Sequence, residues 1–350
     1  GHPLLTKLYT GMIFGTLPGG APVELFELSS DKLTVRISNY GGRIISVVKD
    51  GMDMIVGPKH FEDMLKDTCY CGAICGRVAN RIAKGRFSID GDSRTVAVNN
   101  GPNHLHGGTK NFANRLWESR VETNRVVMSL LSEDGDQNYP GELNVEAVFD
   151  FDDDNALEIT YLAKTDKTTV VNLTNHVYFN LAGDGSGSIL DHELRLNSSK
   201  VLEMNDKQIP TGKLLDAAGT PQDFRQFRPF RPGIGSEFNH IRDFKGYDHP
   251  FVIDGWQPNI LGEVGELREK SSGRCVKVLS SQPSVMVYTG NWLAGGCPET
   301  KTGGRYDDYD GVAIECQNYP DAVNHPDFPS PLLRPGELYC QKIVFRFGTF

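Results

Sequence analysis

Short runs in which apolar and polar residues alternate recur along the 350-residue chain. The clearest runs are 33–38, 143–151, 157–161 and 343–347. Alternation with period two puts one set of side chains on each face of a β-strand. The chain also has 38 glycines and 19 prolines, and each of these costs a helix interior about 1–3 kcal/mol. We therefore predict an all-β fold, a large antiparallel β-sandwich or barrel with few short helices.

The chain shows no internal repeat and no linker between regions of different composition. We expect a single domain over residues 1–350, in which Gly1 and His2 are a cloning remnant. One segment, residues 204–250, is polar, rich in glycine and proline, and without clear periodicity. Because long irregular segments in compact β proteins are often functional, we expect this segment to contribute to a site.

The formal net charge is −9, which disfavours nucleic acids and anionic membranes as partners. The sequence has no run of about 18 apolar residues that could form a transmembrane helix, and no hydrophobic signal segment. Seven scattered cysteines without such a signal indicate reduced thiols. We therefore predict a cytoplasmic protein without membrane contact. Since no exposed amphipathic element stands out, we expect a monomer or a weak homodimer.

The segment 171–181 alternates between an apolar face and a face that is polar and almost uncharged. The polar face carries Asn172, Thr174, His176, Tyr178 and Asn180. Solvent-facing strands usually carry charged residues, so a row of amide, imidazole and phenol groups suits a ligand rich in hydroxyl groups. A buried polar network between two sheets would give the same pattern, and the strand alone does not distinguish the two.

A second predicted strand, 312–317, places Glu315 between apolar residues. Burial of a carboxylate needs compensation, which makes Glu315 a candidate general base. The alternative is a structural ion pair, for which Arg81 is a possible partner. Arg81 could instead bind sugar hydroxyls through its planar set of donors, or be an ordinary surface arginine.

Two histidines, His104 and His106, are predicted on one face of a strand. Together with Glu315 or His176 they could hold a metal ion, but no further ligand joins them at a suitable spacing. The three cysteines within residues 69–75 are a weaker zinc candidate, because no second cysteine or histidine pair lies nearby in the sequence. We therefore expect no metal.

Phenylalanines and arginines alternate over residues 224–231, a pattern that resembles a nucleic-acid-binding stripe. The acidic net charge and the prolines at 229 and 232 favour a structural interpretation, in which the phenylalanines anchor an irregular loop. No phosphate-binding loop, dinucleotide-binding motif or nucleophile elbow occurs in the chain. The chemistry must therefore depend on acid and base groups, without a nucleotide or covalent cofactor.

Several segments resemble motifs of the aldose 1-epimerases, the galactose mutarotases. The resemblance begins at residues 14–18 and covers essentially the whole chain. The matching segments are Gly76–Ile82, Leu105–Gly108, Val171–His176, Tyr247–His249, Gln282–Pro283, Tyr288–Asn291, Glu315–Asn318, Pro320–Asn324 and Leu333–Gly336. Asn-Leu-Thr-Asn-His at 172–176 and Gln-Asn-x-Pro-Asp-Ala-Val-Asn at 317–324 are specific signals.

The resemblance implies a β-supersandwich of the galactose mutarotase type, with a sugar cleft on one concave face. It implies that His176 is the general acid, that Glu315 is the general base, and that His106 assists near the ring oxygen. The substrate would be a free aldohexose such as galactose or glucose, whose anomers interconvert by acid–base-catalysed ring opening and closure. This chemistry requires no metal and no cofactor.

The resemblance also implies which residues bind the sugar. The sugar-binding candidates are Asn80, Arg81, His106, Tyr178, Asp248 and Gln282. Two positions depart from the common family pattern, because Tyr319 stands where many members have tryptophan and Val177 where many have serine. The hydroxyl missing at position 177 could remove one sugar contact.

Three other functions remain open at this stage. A glycoside hydrolase usually has two carboxylates across the scissile bond, whereas the strongest pair here is a histidine and a glutamate. A phosphorylated-hexose epimerase of the same fold would need extra cations in the cleft, which the arginines of residues 224–231 could supply. A non-catalytic sugar-binding module would need aromatic and hydrogen-bonding partners but no acid–base pair.

Overall fold

A computed structural model describes residues 7–123, 125–152, 154 and 156–350. Gly1 and His2, which we interpret as a cloning remnant, lie outside the described residues. The described strands are β1 Lys7–Thr16, β2 Pro22–Ser29, β3 Thr34–Ser38, β4 Arg43–Lys49, β5 Met52–Asp53, β6 Ile55–Val56, β7 Ile74–Cys75, β8 Arg81–Ile82, β9 Arg86–Ile89, β10 Asp92–Thr95, β11 His104–Leu105, β12 Glu118–Glu122, β13 Arg125–Ser132, β14 Leu143–Phe151, β15 Leu157–Thr165, β16 Thr169–Val170, β17 Thr174–Asn175, β18 Tyr178–Phe179, β19 Glu193–Leu196, β20 Lys200–Met204, β21 Pro210–Asp216, β22 Arg228–Pro229, β23 Asp248–Val252, β24 Gly262–Glu269, β25 Arg274–Ser280, β26 Ser284–Tyr288, β27 Val312–Gln317, β28 Leu332–Leu333 and β29 Tyr339–Thr349.

Helices are few and short in the described part of the chain. The α-helices are α1 Phe61–Met64, α2 Arg231–Ile234 and α3 Asn239–Asp243, and the 3₁₀ turns are Ala83–Gly85, Phe112–Asn114, Asp136–Asn138 and Ala322–Asn324. None of these described helices combines the length and apolar character needed to cross a membrane. The prediction of an all-β fold with few short helices is confirmed.

Two large sheets carry the architecture, and in the described ranges the ladders between named strands are antiparallel. A nine-stranded sheet has the order β12-β13-β14-β15-β29-β25-β24-β19-β22, and a seven-stranded sheet has the order β21-β20-β23-β26-β27-β18-β6. A five-stranded sheet contains β1 to β5 in sequence order. This arrangement confirms the predicted antiparallel β-sandwich.

The largest apolar core contains residues from both large sheets. The nine-stranded sheet contributes Phe149, Ile159 and Phe345, and the seven-stranded sheet contributes Val287 and Ile314. Full burial of each such side chain stabilises the fold by about 1.5–3 kcal/mol. This core packs the two large sheets against each other, and a single domain over residues 1–350 stays a prediction.

Strand β27 shows how this core positions a site. Val312, Ile314 and Cys316 belong to the main core. Because successive side chains of a strand point to opposite faces, Glu315 and Gln317 lie on the other face of the seven-stranded sheet. The alternation that builds the sandwich therefore also places Glu315 outside the main core, on the face that carries the cleft described below.

The segment 204–250 is anchored by aromatic residues, as predicted. Phe224 and Phe230 lie in the main core, where Phe224 contacts Tyr247 with a ring-centroid distance of 5.2 Å. Two arginines of this alternation are held at the surface: Arg225 pairs with Asp223, and Arg231 pairs with Asp191. These ion pairs support the structural interpretation of the phenylalanine–arginine alternation.

Candidate active site

A cleft with a volume of about 510 Å³ opens on the outer face of the seven-stranded sheet. It is lined by Thr68, Cys69, Tyr70, Asn80, Arg81, Asn100, Leu105, His106, His176, Tyr178, Asp206, Gln208, Asp243, Phe244, Asp248, Tyr288, Trp292 and Glu315. Seven of the eight predicted site residues are among them. The segment 204–250 contributes five of the lining residues, as its irregular composition predicted.

Glu315 lies at the floor of the cleft, on strand β27 in the interior of the seven-stranded sheet. Its side chain is 3% exposed, and Oε1 has no hydrogen-bond partner among the described residues. Burial, together with the negative charge of Asp248, raises the pKa of Glu315 well above its usual value, against the opposing effect of Arg81. This buried oxygen at the cleft floor keeps acceptor capacity for a proton.

His176 faces Glu315 directly, with 3.4 Å between Nε2 and Oε1. Its ring lies near those of Tyr178 and Tyr70, with ring-centroid distances of 4.9 and 5.9 Å. Burial of the imidazole lowers the pKa of His176 to about 4. The structure therefore brings the two predicted acid–base groups next to each other.

His106 is the third ionisable group at this point of the cleft. Its Nδ1 accepts a hydrogen bond from the backbone N–H of Asn80 at 2.9 Å, so the proton of the neutral ring lies on Nε2. Burial and the nearby charges of His176 and Arg81 lower the pKa of His106 well below its usual value. His106 is therefore a neutral hydrogen-bond donor, which suits a contact with a sugar oxygen.

Three residues of the cleft have left-handed backbone conformations, namely Tyr70, Asn80 and His106, with φ of 60°, 64° and 47°. For residues other than glycine this conformation costs about 1–3 kcal/mol each and is concentrated at functional sites. The turn after His106 also needs Gly107, because a Cβ there would lie 2.0 Å from the carbonyl oxygen of Gly76. Local backbone strain thus accompanies the placement of these side chains in the cleft.

The sugar-binding candidates form a second group beside the acid–base pair. Arg81 donates from Nε to Asn100 Oδ1 at 3.1 Å, and Gln208 donates from Nε2 to Asp248 Oδ2 at 2.6 Å. Burial lowers the pKa of Arg81 and raises that of Asp248, and each of these groups partly offsets the shift of the other. A guanidinium, a carboxylate and amides together match the donors and acceptors of a sugar.

The polar face predicted for residues 171–181 divides between two roles. His176 and Tyr178 line the cleft. Asn172, Thr174 and Asn180 donate hydrogen bonds to backbone carbonyls of neighbouring segments. Tyr178 itself donates to Cys69 O at 2.8 Å. Both interpretations left open by the sequence are therefore partly realised.

Gln282 is the predicted site residue that the structure places elsewhere. It lines a different surface groove with Trp256 and Tyr319, and its Nε2 lies 3.3 Å from Tyr339 Oη. Met286, four residues further along, is the residue paired with Glu315. Four residues of extended chain span about 13 Å, so the assignment of Gln282 to the sugar site is wrong.

This correction can be tested with two matched glutamine variants. Gln282→Ala is expected to leave KM and kcat unchanged within about twofold, because the side chain lies outside the cleft. Gln208→Ala removes the hydrogen bond that orients Asp248, which costs about 1 kcal/mol and raises KM about fivefold. Steady-state kinetics of both variants measure these changes. If Gln282→Ala changed KM or kcat more than Gln208→Ala does, Gln282 would again be a candidate for the sugar site.

The proposed metal pair of His104 and His106 is not formed. His104 Nδ1 lies 2.7 Å from Ala97 O and Nε2 lies 2.6 Å from Tyr139 Oη, so both of its nitrogens are occupied away from the cleft. The structure instead brings ligand atoms of His106, His176 and Glu315 within 4.8 Å of one another. Two imidazoles and a carboxylate could hold a divalent cation, but the same groups suffice for proton transfer.

Sequence reasoning missed several residues of the cleft. The missed residues with aromatic or amide side chains are Tyr70, Asn100, Gln208, Phe244, Tyr288 and Trp292. Tyr288 had a usable signal, since it belongs to a matched family segment and lies on β26 beside β27. The others lie in loops that only the tertiary fold brings to the cleft.

Comparisons with known proteins agree with this geometry. The family model described as Aldose 1-epimerase matches residues 24–346, a range that contains every residue lining the cleft. The galactose mutarotase of Bos taurus is 42% identical over an alignment of 348 positions that covers 97% of this chain and 98% of that protein. The aldose 1-epimerase of Escherichia coli (strain K12) is 35% identical over 94% of this chain and 96% of that protein. The crystal structure of galactose 1-epimerase from Lactobacillus acidophilus superimposes with a TM-score of 0.85 at 27% identity, covering 99% of each chain.

Proposed function

This chain belongs to the aldose 1-epimerase family of isomerases and is a mutarotase, and we propose that Glu315 is its general base and His176 its general acid. We further propose that His106 donates a hydrogen bond to the sugar near the ring oxygen. The observation that supports these roles is the buried contact between His176 Nε2 and Glu315 Oε1 on the cleft floor.

The reaction opens and recloses the ring of a free aldohexose. Glu315 takes the proton of the O1 hydroxyl while the C1–O5 bond breaks, and His176 gives a proton to O5. The open aldehyde rotates about its C1–C2 bond. Reversal of the proton transfers on the other face of the carbonyl carbon then yields the other anomer. Each positioned acid or base typically contributes about 10²–10⁴-fold to such a rate.

Burial favours the uncharged form of each member of this pair. Burial lowers the pKa of His176 and raises that of Glu315, so the shared proton lies on the carboxyl group. The reactive form of the pair is the Glu315 carboxylate with the His176 imidazolium. It holds as many protons as the uncharged form, and the two forms differ only in which residue carries the shared proton. The pH range of activity is therefore the range in which the pair holds one proton.

This reasoning predicts a broad bell-shaped dependence of kcat/KM on pH. On the acid side, activity should fall where His176 gains a second proton, at a pKa of about 4. On the alkaline side, it should fall where the pair loses its proton, at a pH above the usual range of a glutamate pKa. Polarimetry with the uncatalysed rate subtracted at each pH measures this profile. An acid limb at the ordinary histidine pKa of 6.5 would contradict a buried one-proton pair.

The charge of the cleft supports a free sugar as substrate rather than a phosphorylated one. Arg81 is the only lysine or arginine among the described residues that line it, and Asp206, Asp243 and Asp248 add negative charge. Arg225 and Arg231 pair with carboxylates elsewhere, as described above, and Arg228 donates to the backbone carbonyls of Thr220 and Asp223. None of the three lines the cleft, so they do not supply the cations that a phosphate would need. We therefore propose free galactose or glucose as the substrate, in keeping with the names of the mammalian and bacterial relatives.

Polarimetry of freshly dissolved α-D-galactose is the test of this function. Catalytic amounts of protein should accelerate the approach to the equilibrium rotation, whereas galactose 6-phosphate should be a poorer substrate. Methyl α-galactoside has no proton on O1, so it should inhibit weakly and stay intact. Protein-dependent release of free galactose from it, followed by proton NMR, would favour a glycoside hydrolase instead.

Two further expectations accompany this proposal. All seven cysteines are free thiols, which supports a reducing compartment such as the cytoplasm. The expectation of a monomer or weak homodimer stays a prediction, and sedimentation velocity over a range of protein concentrations would test it.

A further inference from the structure

Two cysteines that are far apart in the sequence meet behind the wall of the cleft. The sulfur atoms of Cys71 and Cys297 and a carboxylate oxygen of Asp67 all lie within 4.8 Å of one another. Both cysteines are buried free thiols in a small apolar cluster with Tyr178 and Leu293. The fold thus places a second cysteine beside Cys71, although none lies at a suitable spacing nearby in the sequence.

The carboxylate of this group is fixed in place by several hydrogen bonds. Asp67 Oδ2 accepts from Arg43 Nη1 at 3.0 Å and from the backbone N–H of Cys71 at 2.8 Å. Its Oδ1 accepts from the backbone N–H of Cys69 at 2.8 Å. The side chains of Arg43 and Asp67 are 1% and 0% exposed. Because a carboxylate oxygen has more than one lone pair, Asp67 keeps acceptor capacity for a cation.

A third sulfur connects this group to the cleft. Cys69 is partly exposed and lines the cleft. A Cβ on Gly296 would lie 2.4 Å from Cys69 Sγ, so this sulfur sits against the turn that precedes Cys297. The same two loops are joined by the hydrogen bond from Thr68 N to Gly296 O at 2.9 Å. Cys69 therefore borders both the cleft and the cluster that contains Cys71 and Cys297.

We propose that Cys71, Cys297 and Asp67 form a binding site for a thiophilic divalent cation such as zinc or cadmium. Two thiolates and a carboxylate are ligands that zinc accepts in tetrahedral sites, with water in the fourth position. Binding exchanges the two thiol protons for one dication, so the cation and the two thiolates add no net charge to the interior. The Arg43–Asp67 pair already balances itself, and the buried group stays electrically neutral.

The site also has a route to the catalytic groups. Tyr70 lies between Cys69 and Cys71 in the sequence, and its ring centroid lies 4.7 Å from that of His106 and 5.9 Å from that of His176. Trp292 lines the cleft from the loop that leads to Cys297. A cation held between these loops would fix the aromatic wall of the cleft, so metal binding is expected to change the kinetic constants.

The test is a titration of the reduced full-length protein with cadmium chloride. We expect one cation per chain, a sulfur-to-cadmium charge-transfer band corresponding to two thiolates, and the release of two protons. Cys71→Ser and Cys297→Ser should each weaken binding at least about a hundredfold, more than the loss of an outer-shell partner. Cys275→Ser, which changes another buried free cysteine, is the matched control and should bind as the unaltered protein does.

The His106, His176 and Glu315 group is the competing site, and His106→Asn distinguishes the two. Loss of cadmium binding in that variant, with binding retained in both serine variants, would overturn the proposal. If a serine variant fails to fold, the rate of alkylation of the unaltered protein over hours gives an independent reading. These buried thiols react only through local opening, and bound cadmium should slow the reaction of residues 71 and 297. Absence of both the charge-transfer band and this protection at saturating cadmium would also overturn it.

Discussion

Glu315→Gln is expected to lower kcat for galactose mutarotation by about 10²–10⁴-fold, equivalent to about 3–5 kcal/mol of activation free energy. Glutamine has nearly the same shape and can still hydrogen-bond the O1 hydroxyl, but it cannot take the proton. KM should therefore change much less than kcat. Polarimetry at substrate concentrations on both sides of KM separates the two constants.

The stability of the same variant provides the control. Burial raises the folded-state pKa of Glu315 above its usual value, so the folded protein loses stability as pH rises from the unfolded pKa through the folded one. Glutamine has no such ionisation. The thermal unfolding midpoint of Glu315→Gln should therefore equal or exceed that of the unaltered protein at neutral and alkaline pH. A folded variant with near-native turnover would contradict the role of Glu315.

His176→Asn is expected to reduce kcat by a similar factor, about 10²–10⁴-fold. Asparagine keeps a polar side chain in the cleft but cannot deliver a proton to the ring oxygen. The acid limb of the pH profile near 4, which belongs to His176, should disappear together with the activity. Pre-steady-state measurement of sugar binding should show that the variant still binds galactose.

His104→Asn is the matched control for this variant. His104 is also a buried histidine, but both of its nitrogens bond to groups outside the cleft. Its replacement should lower the unfolding midpoint and leave kcat per folded molecule unchanged. If His176→Asn behaved like His104→Asn, with reduced stability but normal kcat, another group such as His106 would have to be the acid.

The sequence predicts most of the fold because alternation and burial act locally. In β14, the apolar residues Val145, Ala147 and Phe149 are buried, as their period-two spacing indicates. Glu315 could be identified in the same way, since a single carboxylate within an apolar strand needs a reason to be there. Both inferences require only that one knows to which face of a strand each side chain points.

Sequence reasoning fails for residues whose place in the site depends on their position along a strand or on contacts between distant segments. Gln282 and Tyr288 have the same parity along the chain, but six residues, or about 20 Å, separate them. Tyr70 takes a left-handed conformation that its sequence does not indicate, because tertiary contacts impose it. The meeting of Cys71 with Cys297 joins segments more than two hundred residues apart, and no local pattern reports such a contact.

The position of β29 has a consequence for how the protein is made. This strand, Tyr339–Thr349, lies between β15 and β25 in the middle of the nine-stranded sheet, although it follows all the other described strands in the sequence. During synthesis, the growing chain therefore carries two half-sheets whose facing edges are unpaired, and such edges favour aggregation. The halves can join only when residues 339–349 have left the ribosome, so a catalytically competent cleft is expected only after this strand has been made.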